Sequence, residues 1–324
     1  MDQWYNWLVK KLLALLLVLL IPLFMVKGWW NTQLSPVSED TIPKKIVIEK
    51  GKPVSDIGKQ LKEENLIRSE LAFKIYTRQF GQTLAAGTFT LSPSMTMEEI
   101  VKVLSGVPNE VWVTIIEGWR VEEIAEKLNA DLKVDKQEFL KLAKEGYMFP
   151  DTYLFPREYT AEQIAKTLRD NFDQKYTPEL RTKIKSKGLT EGEGVILASI
   201  VEREGRSEKV RTEVASILLK RLNIGMGLNA DATLQYAIGY QPSEKSWWKR
   251  HLTTEDKKVN SLYNSYIHRG LPPTPICNPG LSSFQAVANA DPKTPYLYYY
   301  HDSKGNSHYG STLDEHNENV ANNP

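Results

Sequence analysis

The longest run of apolar residues covers positions 12–26, where no charged side chain interrupts the sequence. At about 1.5 Å of rise per residue, a helix of that length falls short of a hydrocarbon core of about 30 Å. Apolar and aromatic residues on both sides of the run, including Trp29 and Trp30, supply the missing length. The pattern predicts a transmembrane helix over residues 10–30, preceded by a short terminus of residues 1–9.

The charges that flank this run predict its orientation. Lys10 and Lys11 precede the apolar residues, and Lys27 follows them. Positive charge collects on the cytoplasmic side of a membrane helix, so residues 1–9 are predicted to be cytoplasmic and the chain after the helix extracytoplasmic. A cleaved signal peptide is the alternative, but no small-residue cleavage pattern follows the run. We therefore favour a single uncleaved anchor.

Three later segments share one pattern of apolar positions. Residues 46–61 and 113–128 have apolar residues and glycines at matching places, and residues 89–104 form a weaker copy. Each begins with alternating apolar positions and continues with spacings of three and four, which predicts a strand, a turn and a helix. We predict a small α+β domain over residues 43–130, after a polar linker of residues 31–42. Unrelated strand–helix units with the same amphipathic pattern are the alternative.

Helical spacing dominates the remainder of the chain, residues 131–324. Segments beginning at Thr160 and Thr190 open with Thr-x-x-Gln and Thr-x-x-Glu, which are typical of a helix start. A further helix is predicted from Glu208, with Gly225 placed to end it. These helices and the Pro- and Asn-rich loops between them predict a larger mixed α/β domain.

Composition limits the classes of function. With 41% hydrophobic and 25% charged residues among 324, the chain can build ordinary folded cores. Its formal net charge of +1 argues against nucleic-acid binding, which needs a clear excess of basic residues. The single cysteine, Cys277, excludes an internal disulfide and a cysteine-rich metal site. The histidines lack the spacing of metal ligands, so we predict neither a metal nor a cofactor.

The segment LASIVEREGRSE, residues 197–208, places two glutamates at the end of an apolar run. A carboxyl group taken partly out of water keeps its proton more readily and can then protonate a leaving group. On a helix Glu204 points away from Glu202, and the small residues Ala198 and Ser199 beneath Glu202 leave room for a ligand. This selects Glu202 as the candidate acid. A structural ion pair between Glu202 and a neighbouring Arg or Lys is the alternative, and spacing alone favours it.

Four ordered motifs carry a resemblance that extends over most of the chain: EGYMFPDTYLFP (145–156), ILASIVERE (196–204), VASILLKRLNIGMGLNADATLQYAIG (214–239) and NSYIHRGLPPTPICNPG (264–280). In this order they resemble the MltG/YceG-like family of membrane-anchored endolytic murein transglycosylases. The resemblance implies a single membrane anchor, a LysM-like domain at residues 43–130 and a catalytic domain at residues 131–324. The expected fold class is therefore α+β, with a YceG-like catalytic domain of mixed α/β structure.

The resemblance also implies a reaction. Family members are expected to cleave the bond between N-acetylmuramic acid and N-acetylglucosamine within glycan strands, to leave 1,6-anhydro ends and to terminate the elongation of nascent strands. The catalytic glutamate of the family falls on Glu202, which would first protonate the glycosidic oxygen and then accept the proton of the muramic 6-hydroxyl. Because that hydroxyl is the nucleophile, the second carboxylate of ordinary glycosidases is not needed.

Other motif positions imply contacts with the sugar. The candidate substrate-binding residues are Asp231, Thr233, Gln235, Tyr236, Asn264, Tyr266 and Asn278. Local backbone hydrogen bonds that hold turns and loops together are the alternative role for the Asp and Asn side chains. The stretch YLYYYHD, residues 296–302, is predicted to be a strand packed on the core, with aromatic faces for sugars as the alternative.

The implied partners are peptidoglycan glycan strands, the cytoplasmic membrane through the N-terminal helix, and enzymes of cell-wall synthesis. The implied location is the bacterial cell (inner) membrane, crossed once, with the catalytic domain outside the cytoplasm. Two other functions stay open. A membrane-tethered peptidoglycan-binding scaffold would release no product, and a hydrolytic muramidase would pair Glu202 with a second acid such as Asp231 and consume water.

Overall fold

The structure is a computed structural model, and it describes residue 22 and residues 24–323. Most of the predicted membrane helix, residues 10–30, therefore lies outside the described residues. Within the described part of the chain, no helix is both long enough and apolar enough to cross a membrane. Residues 24–34 are helical and precede the first strand.

The described residues divide into two compact units. The first contains the chain as far as Trp112 together with Leu154–Arg157, and the second contains Val113–Tyr153 and the residues from Glu158 onwards. Each unit has its own apolar core. Helices and strands occur in both, so the predicted α+β class is confirmed.

A four-stranded sheet has the order β1-β2-β3-β4, and β1 and β2 are antiparallel. Alternation along β1 turns Ile46 and Ile48 into the core of the first unit, where Ile57 and Leu61 of the following helix also lie. The strands are β1 (Lys44–Ile48), β2 (Gly87–Leu91), β3 (Glu110–Thr114) and β4 (Thr152–Pro156). The helices of this unit are α1 (Val54–Glu63), α2 (Glu70–Gln79) and α3 (Met97–Leu104).

The three predicted repeats form strands followed by helices, as the apolar pattern indicated. The pairs are β1 with α1, β2 with α3, and β3 with α4 (Val121–Leu132). The matching glycines, Gly51 and Gly118, have φ angles of +81° and +78°. That conformation is strained for a residue with a side chain, so the geometry of the turns explains why glycine recurs there. The third pair is divided, since Trp112 belongs to the first unit and α4 to the second.

The second unit is mainly helical and contains a hairpin before its last helix. Strands β5 (Tyr298–His301) and β6 (Ser307–Gly310) are antiparallel, which confirms the predicted tyrosine-rich strand. After α4 the helices are α5 (Lys136–Leu142), α6 (Ala161–Lys175), α7 (Pro178–Lys185), α8 (Glu191–Glu204), α9 (Glu208–Asn223), α10 (Asp231–Ile238), α11 (Leu281–Asn289) and α12 (Leu313–Asn322), with a short 3-10 turn at Asp256–Lys258.

Helix α8 lies in the middle of the core of the second unit. Its residues Leu197, Ile200 and Val201 are fully buried, and α9 and α11 pack against it. Thr190 and Glu193 form the predicted capping box at its N-terminus. Because neighbouring elements cover α8 on several sides, Glu202 in its last turn is buried, whereas Glu204, its final residue, is half-buried.

Candidate active site

Glu202 lies in the last turn of α8, and protein groups enclose its carboxylate. Oε1 accepts a hydrogen bond from Arg211 Nη2 at 2.5 Å. Oε2 accepts hydrogen bonds from the Gly280 backbone N–H and the Ser283 hydroxyl, each at 2.9 Å. Only 4% of the side chain is exposed. Both oxygens are already occupied, which is the arrangement of an anchored structural carboxylate.

The small residues beneath Glu202 do not open onto a cleft. Ala198 and Ser199 are fully buried. The Ser199 hydroxyl accepts a hydrogen bond from the Ile276 N–H at 3.0 Å, and the Ser199 carbonyl accepts one from the Cys277 thiol at 3.2 Å. The loop that precedes α11 therefore fills the space in which the sequence analysis expected a ligand.

A second carboxylate approaches the same ion pair. Glu117 Oε2 lies 3.9 Å from Arg211 Nη2. The Glu117 side chain passes over Gly280, where an added Cβ would lie 1.8 Å from Glu117 Oε1. Burial and the Glu202 carboxylate raise the pKa of Glu117, and Arg211 opposes the increase. The absence of a side chain at Gly280 thus lets two glutamates share one arginine.

Glu204, the final residue of α8, lines a cavity of about 500 Å³. This volume falls within the range of about 300–1,000 Å³ that is typical of small-ligand sites. The cavity is polar as well as aromatic, so it suits a ligand with many hydroxyl groups. The side chains that complete its walls include Arg221, Asp231, Lys257, Tyr266, Tyr298 and His316.

The surroundings of Glu204 favour its protonated form. Burial raises the pKa of Glu204 to about 7, and the neighbouring Asp231 carboxylate adds to the increase. Three groups oppose it: the Ala232 N–H, which lies 3.4 Å from Oε1, the Tyr299 hydroxyl and Arg203. At neutral pH a carboxyl group with this pKa is close to half protonated. It can therefore donate a proton and, once ionised, accept one.

Asp231 supplies the second carboxyl group of the cavity. It is the first residue of α10, where the helix N-terminus favours negative charge. Its Oδ1 accepts a hydrogen bond from the Tyr266 hydroxyl at 2.5 Å. Of the seven predicted substrate-binding residues, the structure brings these two to the cavity of Glu204.

Two other predicted residues are buried and hydrogen-bonded within the protein. The Thr233 hydroxyl donates to the Ala230 carbonyl at 2.7 Å. Asn264 Nδ2 donates to the carbonyls of Lys257 and Val259 at 3.0 and 2.9 Å. These contacts fit the alternative that the sequence left open, in which such side chains hold loops together. Gln235 is similar, since its Nε2 donates to a backbone carbonyl at 2.7 Å.

The remaining predicted residues, Tyr236 and Asn278, meet at Glu145. Asn278 Nδ2 donates to Glu145 Oε1 at 2.9 Å, and the Tyr236 hydroxyl donates to Oε2 at 3.4 Å. The Arg120 guanidinium lies 4.0 Å from the centre of the Tyr236 ring. Burial raises the pKa of Glu145 to about 8, and the Glu122 carboxylate adds to the increase. Glu145 opens the first of the four motifs, but no sequence pattern marked it as a candidate site residue.

Of the two glutamates, Glu204 lines the cavity and Glu202 does not. The sequence correctly separated the two carboxylates onto different sides of α8, but it chose between them by the small residues beneath Glu202. One feature of the sequence favours a protonated carboxyl group at Glu204. It is the last residue of the helix, where the exposed carbonyls disfavour a carboxylate and so favour the protonated acid.

The described residues contain no group of three or more His, Cys, Asp or Glu side chains that could hold a metal ion. His308 Nε2 lies 3.1 Å from Asp302 Oδ2, and this pair belongs to the β5–β6 hairpin. Asn306 also donates a hydrogen bond to Asp302, at 2.9 Å. The carboxylate at Asp302 therefore closes the turn of the hairpin.

Comparisons with known proteins agree with one another. The chain matches the model of the YceG-like family over residues 46–322. It is similar to an endolytic murein transglycosylase of Bacillus subtilis, with 30% identity over 88% of this chain and 86% of that protein. An endolytic murein transglycosylase of Streptococcus pneumoniae is 29% identical, and the match covers 85% of this chain and 57% of that relative. A crystal structure of a yceG-like protein from Listeria monocytogenes matches with a TM-score of 0.58 and 29% identity, covering 86% of this chain and 99% of that one.

Proposed function

We propose that this chain, which belongs to the YceG-like family, is an endolytic murein transglycosylase that cleaves peptidoglycan glycan strands internally. Similarity to relatives of that name supports the reaction class. The observation that carries the chemistry is Glu204, a carboxyl group with a pKa of about 7 on the wall of a polar and aromatic cavity.

Glu204 performs both proton transfers in this proposal. As an acid it protonates the oxygen that joins N-acetylmuramic acid to N-acetylglucosamine, and the bond from that oxygen to C1 of the muramic sugar breaks. As a carboxylate it accepts the proton of the muramic 6-hydroxyl, whose oxygen attacks C1 and closes a 1,6-anhydro ring. No water enters the product. A pKa of about 7 suits both steps, because the acid and the base are each well populated near neutral pH.

Asp231 and Tyr266 act beside Glu204 in the same cavity. Positive charge develops at C1 as the glycosidic bond breaks, and a nearby carboxylate stabilises it electrostatically. The hydrogen bond from the Tyr266 hydroxyl fixes the direction of the Asp231 carboxylate. Glu202 has a structural role instead, since Arg211 and two further donors already satisfy it.

A hydrolytic muramidase is the second candidate, and Asp231 is the observation that favours it. Hydrolases place two carboxyl groups beside the scissile bond, one as the acid and one as a base or nucleophile. Glu204 and Asp231 line one cavity and act on each other electrostatically. If Asp231 activates a water, that water attacks C1 in place of the 6-hydroxyl and the product gains a reducing end.

The masses of the products distinguish these functions. Purified glycan strands are digested with the full-length protein, and the fragments are weighed by mass spectrometry. We expect 1,6-anhydro ends, which lack the water that hydrolysis adds. Reducing ends would identify the muramidase. Strand binding without any fragments would identify a peptidoglycan-binding scaffold.

Two matched variants test the assignment of the acid. Glu204→Gln removes the proton donor, so we expect cleavage to fall by about 10²–10⁴-fold while the thermal unfolding transition is kept. Glu202→Gln removes the closer of the two carboxylates that pair with Arg211, and we expect it to lower the free energy of unfolding by about 2–4 kcal/mol. Normal cleavage by Glu204→Gln, together with an inactive but stably folded Glu202→Gln, would return the acid role to Glu202.

We also propose the organisation and location that the sequence predicts. The uncharged run within residues 10–30 and its flanking lysines support a membrane anchor, and the strand–turn–helix repeats support a LysM-like domain at residues 43–130. The catalytic domain would then meet glycan strands and cell-wall synthases on the outer side of the bacterial cell membrane. Alkaline extraction of membranes tests the anchor, because the full chain should stay in the pellet and a chain without residues 1–30 should be released.

A further inference from the structure

Arg221 is a buried guanidinium on the wall of the Glu204 cavity. Only 5% of the residue is exposed, and it lines the cavity from helix α9. Its Nε donates to the Leu297 carbonyl at 2.7 Å, and its Nη1 donates to the Leu228 carbonyl at 2.5 Å. These two backbone oxygens hold the side chain in place, but they do not neutralise its charge.

The positive charge of Arg221 has no ion-pair partner among the described residues, and its guanidinium lies 5.3 Å from the centre of the Tyr298 ring. Burial lowers the pKa of Arg221, and Tyr299, Tyr298 and Glu204 only partly oppose the decrease. Buried charges in proteins are normally paired, because an isolated charge is costly to remove from water. A buried cation on a cavity wall with no ion-pair partner among the described residues therefore indicates an anionic group of the ligand.

Lys257 brings a second positive charge to the same cavity. Its Nζ lies 4.5 Å from the centre of the Tyr266 ring, and it forms no ion pair within the described part of the chain. The next residue, Lys258, pairs instead with Glu255 at 2.7 Å. Two neighbouring lysines thus differ, since one lines the cavity and the other is paired with a carboxylate outside it.

The cavity has an excess of positive charge when Glu204 holds its proton. Asp231 is then the single carboxylate that faces the two cations among the lining residues. Burial lowers the pKa values of His301 and His316, so both rings are neutral at pH 7. Burial also raises the pKa of Tyr299 far above the neutral range. A ligand with one negative charge would balance the cavity.

We propose that Arg221 and Lys257 form an anion-binding subsite, which takes a carboxylate of the substrate beside the bond that Glu204 cleaves. The identity of the substrate rests on the proposed function. In a murein strand the nearest carboxylate is that of the D-lactyl group on the muramic sugar, and it is free where the stem peptide has been removed. Because C1 of that same sugar reacts at Glu204, its lactyl group stays within the cavity. The subsite therefore favours peptide-free stretches of the strand.

Three preparations of glycan strands test the subsite. They are peptide-free strands with free lactyl carboxylates, the same strands converted to carboxamides, and strands that keep their stem peptides. Binding is measured with full-length Glu204→Gln, which we expect to bind strands without cleaving them. We expect peptide-free strands to bind about tenfold more tightly than the carboxamide strands, and the preference to shrink at high salt.

Substitutions of Lys257 and Lys258 test whether the preference for free carboxylates arises in the cavity. Lys257→Met removes one charge and keeps a side chain of similar length, and we expect it to weaken the preference about two- to fivefold. Lys258→Met makes the same change outside the cavity and should keep the preference. Arg221→Gln should weaken it about tenfold or more. If thermal unfolding shows that Arg221→Gln is not folded, the pair of lysine variants alone decides.

Each outcome bears on the subsite. If strands with stem peptides bind most tightly and Lys257→Met removes that preference, the subsite stands and its carboxylate belongs to the stem peptide. Equal binding of all three preparations overturns the proposal, as does an equal effect of Lys257→Met and Lys258→Met. The binding measurement does not depend on cleavage, so the two proposals can fail separately. If the carboxylate preference is found but the wild-type protein yields no fragments, the proposed function is refuted and the subsite stands.

Discussion

Two glutamates of α8, separated by one residue, have opposite surroundings. Glu202 faces Arg211 and two hydrogen-bond donors, and both of its oxygens are occupied. Glu204 faces the Asp231 carboxylate instead and forms no ion pair with any described residue. The same side-chain type therefore meets different environments at the two positions, and in the proposed mechanism Glu204 is the proton donor.

Cleavage is expected to decline as the pH rises above about 7. In the proposed mechanism Glu204 must hold its proton to protonate the leaving oxygen, and a pKa of about 7 means that the protonated form is lost as the pH rises through 7. We expect kcat/KM to fall about tenfold for each further pH unit. A profile measured from pH 5 to pH 9 on glycan strands checks this expectation.

A variant at Asp231 shows whether the decline belongs to Glu204. The Asp231 carboxylate raises the pKa of Glu204, so Asp231→Asn should lower that pKa and move the decline to lower pH. Glu202→Gln should leave the position of the decline unchanged. If the pH of the decline moves with Glu202→Gln and not with Asp231→Asn, the titrating group is Glu202, which contradicts the proposed role of Glu204.

At the scale of single residues, the sequence pointed to the segment of residues 197–208 but not to the contacts that its glutamates make. The apolar run before Glu202 correctly predicted that its side chain is buried. The groups that bind Glu202 include Gly280 and Ser283, which are 78 and 81 residues away in the chain. No local pattern reveals partners at such separations, so the contacts of Glu202 could be found only from the tertiary structure.

Among the elements, helix ends were the most predictable features. Thr160 and Thr190 form capping boxes with the residues three positions later, and Gly225, with a φ of +68°, follows the end of α9. These ends depend on hydrogen bonds within a few residues, so local sequence is sufficient to predict them. The loop of residues 275–280 was less predictable, because its conformation depends on α8 and on the turn near Gly146.

The turn at Gly146 is expected to tolerate no larger residue. Its φ is +85°, and an added Cβ would lie 2.5 Å from the Pro275 ring and 3.0 Å from Val195 Cγ1. We expect Gly146→Ala to lower the free energy of unfolding by about 2–4 kcal/mol, through backbone strain and overpacking together. Urea denaturation followed by circular dichroism measures the change.

Gly192 provides the matched control for this substitution. It lies in the first turn of α8, and an added Cβ there would have no neighbour within 4 Å. Alanine is also the better helix former, so Gly192→Ala should leave stability unchanged or raise it by up to about 1 kcal/mol. Equal stabilities of the two variants would contradict the close approach between Gly146 and Pro275.

For the whole molecule, the fold class was predictable and the cavity was not. Apolar periodicity indicates which segments form strands or helices with a buried face, and this is sufficient to predict an α+β protein with strand–turn–helix pairs. The cavity combines the end of α8 with Arg221 of α9, Asp231 of α10 and side chains of the hairpin. Its shape depends on how these distant segments pack, which periodicity does not encode.

Burial of Glu145 couples the stability of the protein to pH. The folded protein raises the pKa of Glu145 to about 8, whereas an exposed glutamate has a value of 4.5. Between these values the folded protein holds a proton that the unfolded chain has released. The free energy of unfolding therefore falls as the pH rises, by at most about 1.4 kcal/mol per unit. The penalty is absent below pH 4.5 and complete above about pH 8.

Urea denaturation at several pH values measures this slope in the wild type and in Glu145→Gln. Glu204 contributes a decline of the same sign that weakens above about pH 7, so between pH 7 and 8 Glu145 contributes the larger part of the slope of the two. We expect Glu145→Gln to flatten that interval, and Glu138→Gln, at an exposed position of α5, to keep it. Glu145→Gln also changes the hydrogen bonds with Val121 and Asn278, and this alters the free energy of unfolding at every pH. The slope with pH, and not the stability at one pH, is therefore the quantity to compare. An unchanged slope in Glu145→Gln would mean that Glu145 is ionised throughout this range in the folded protein.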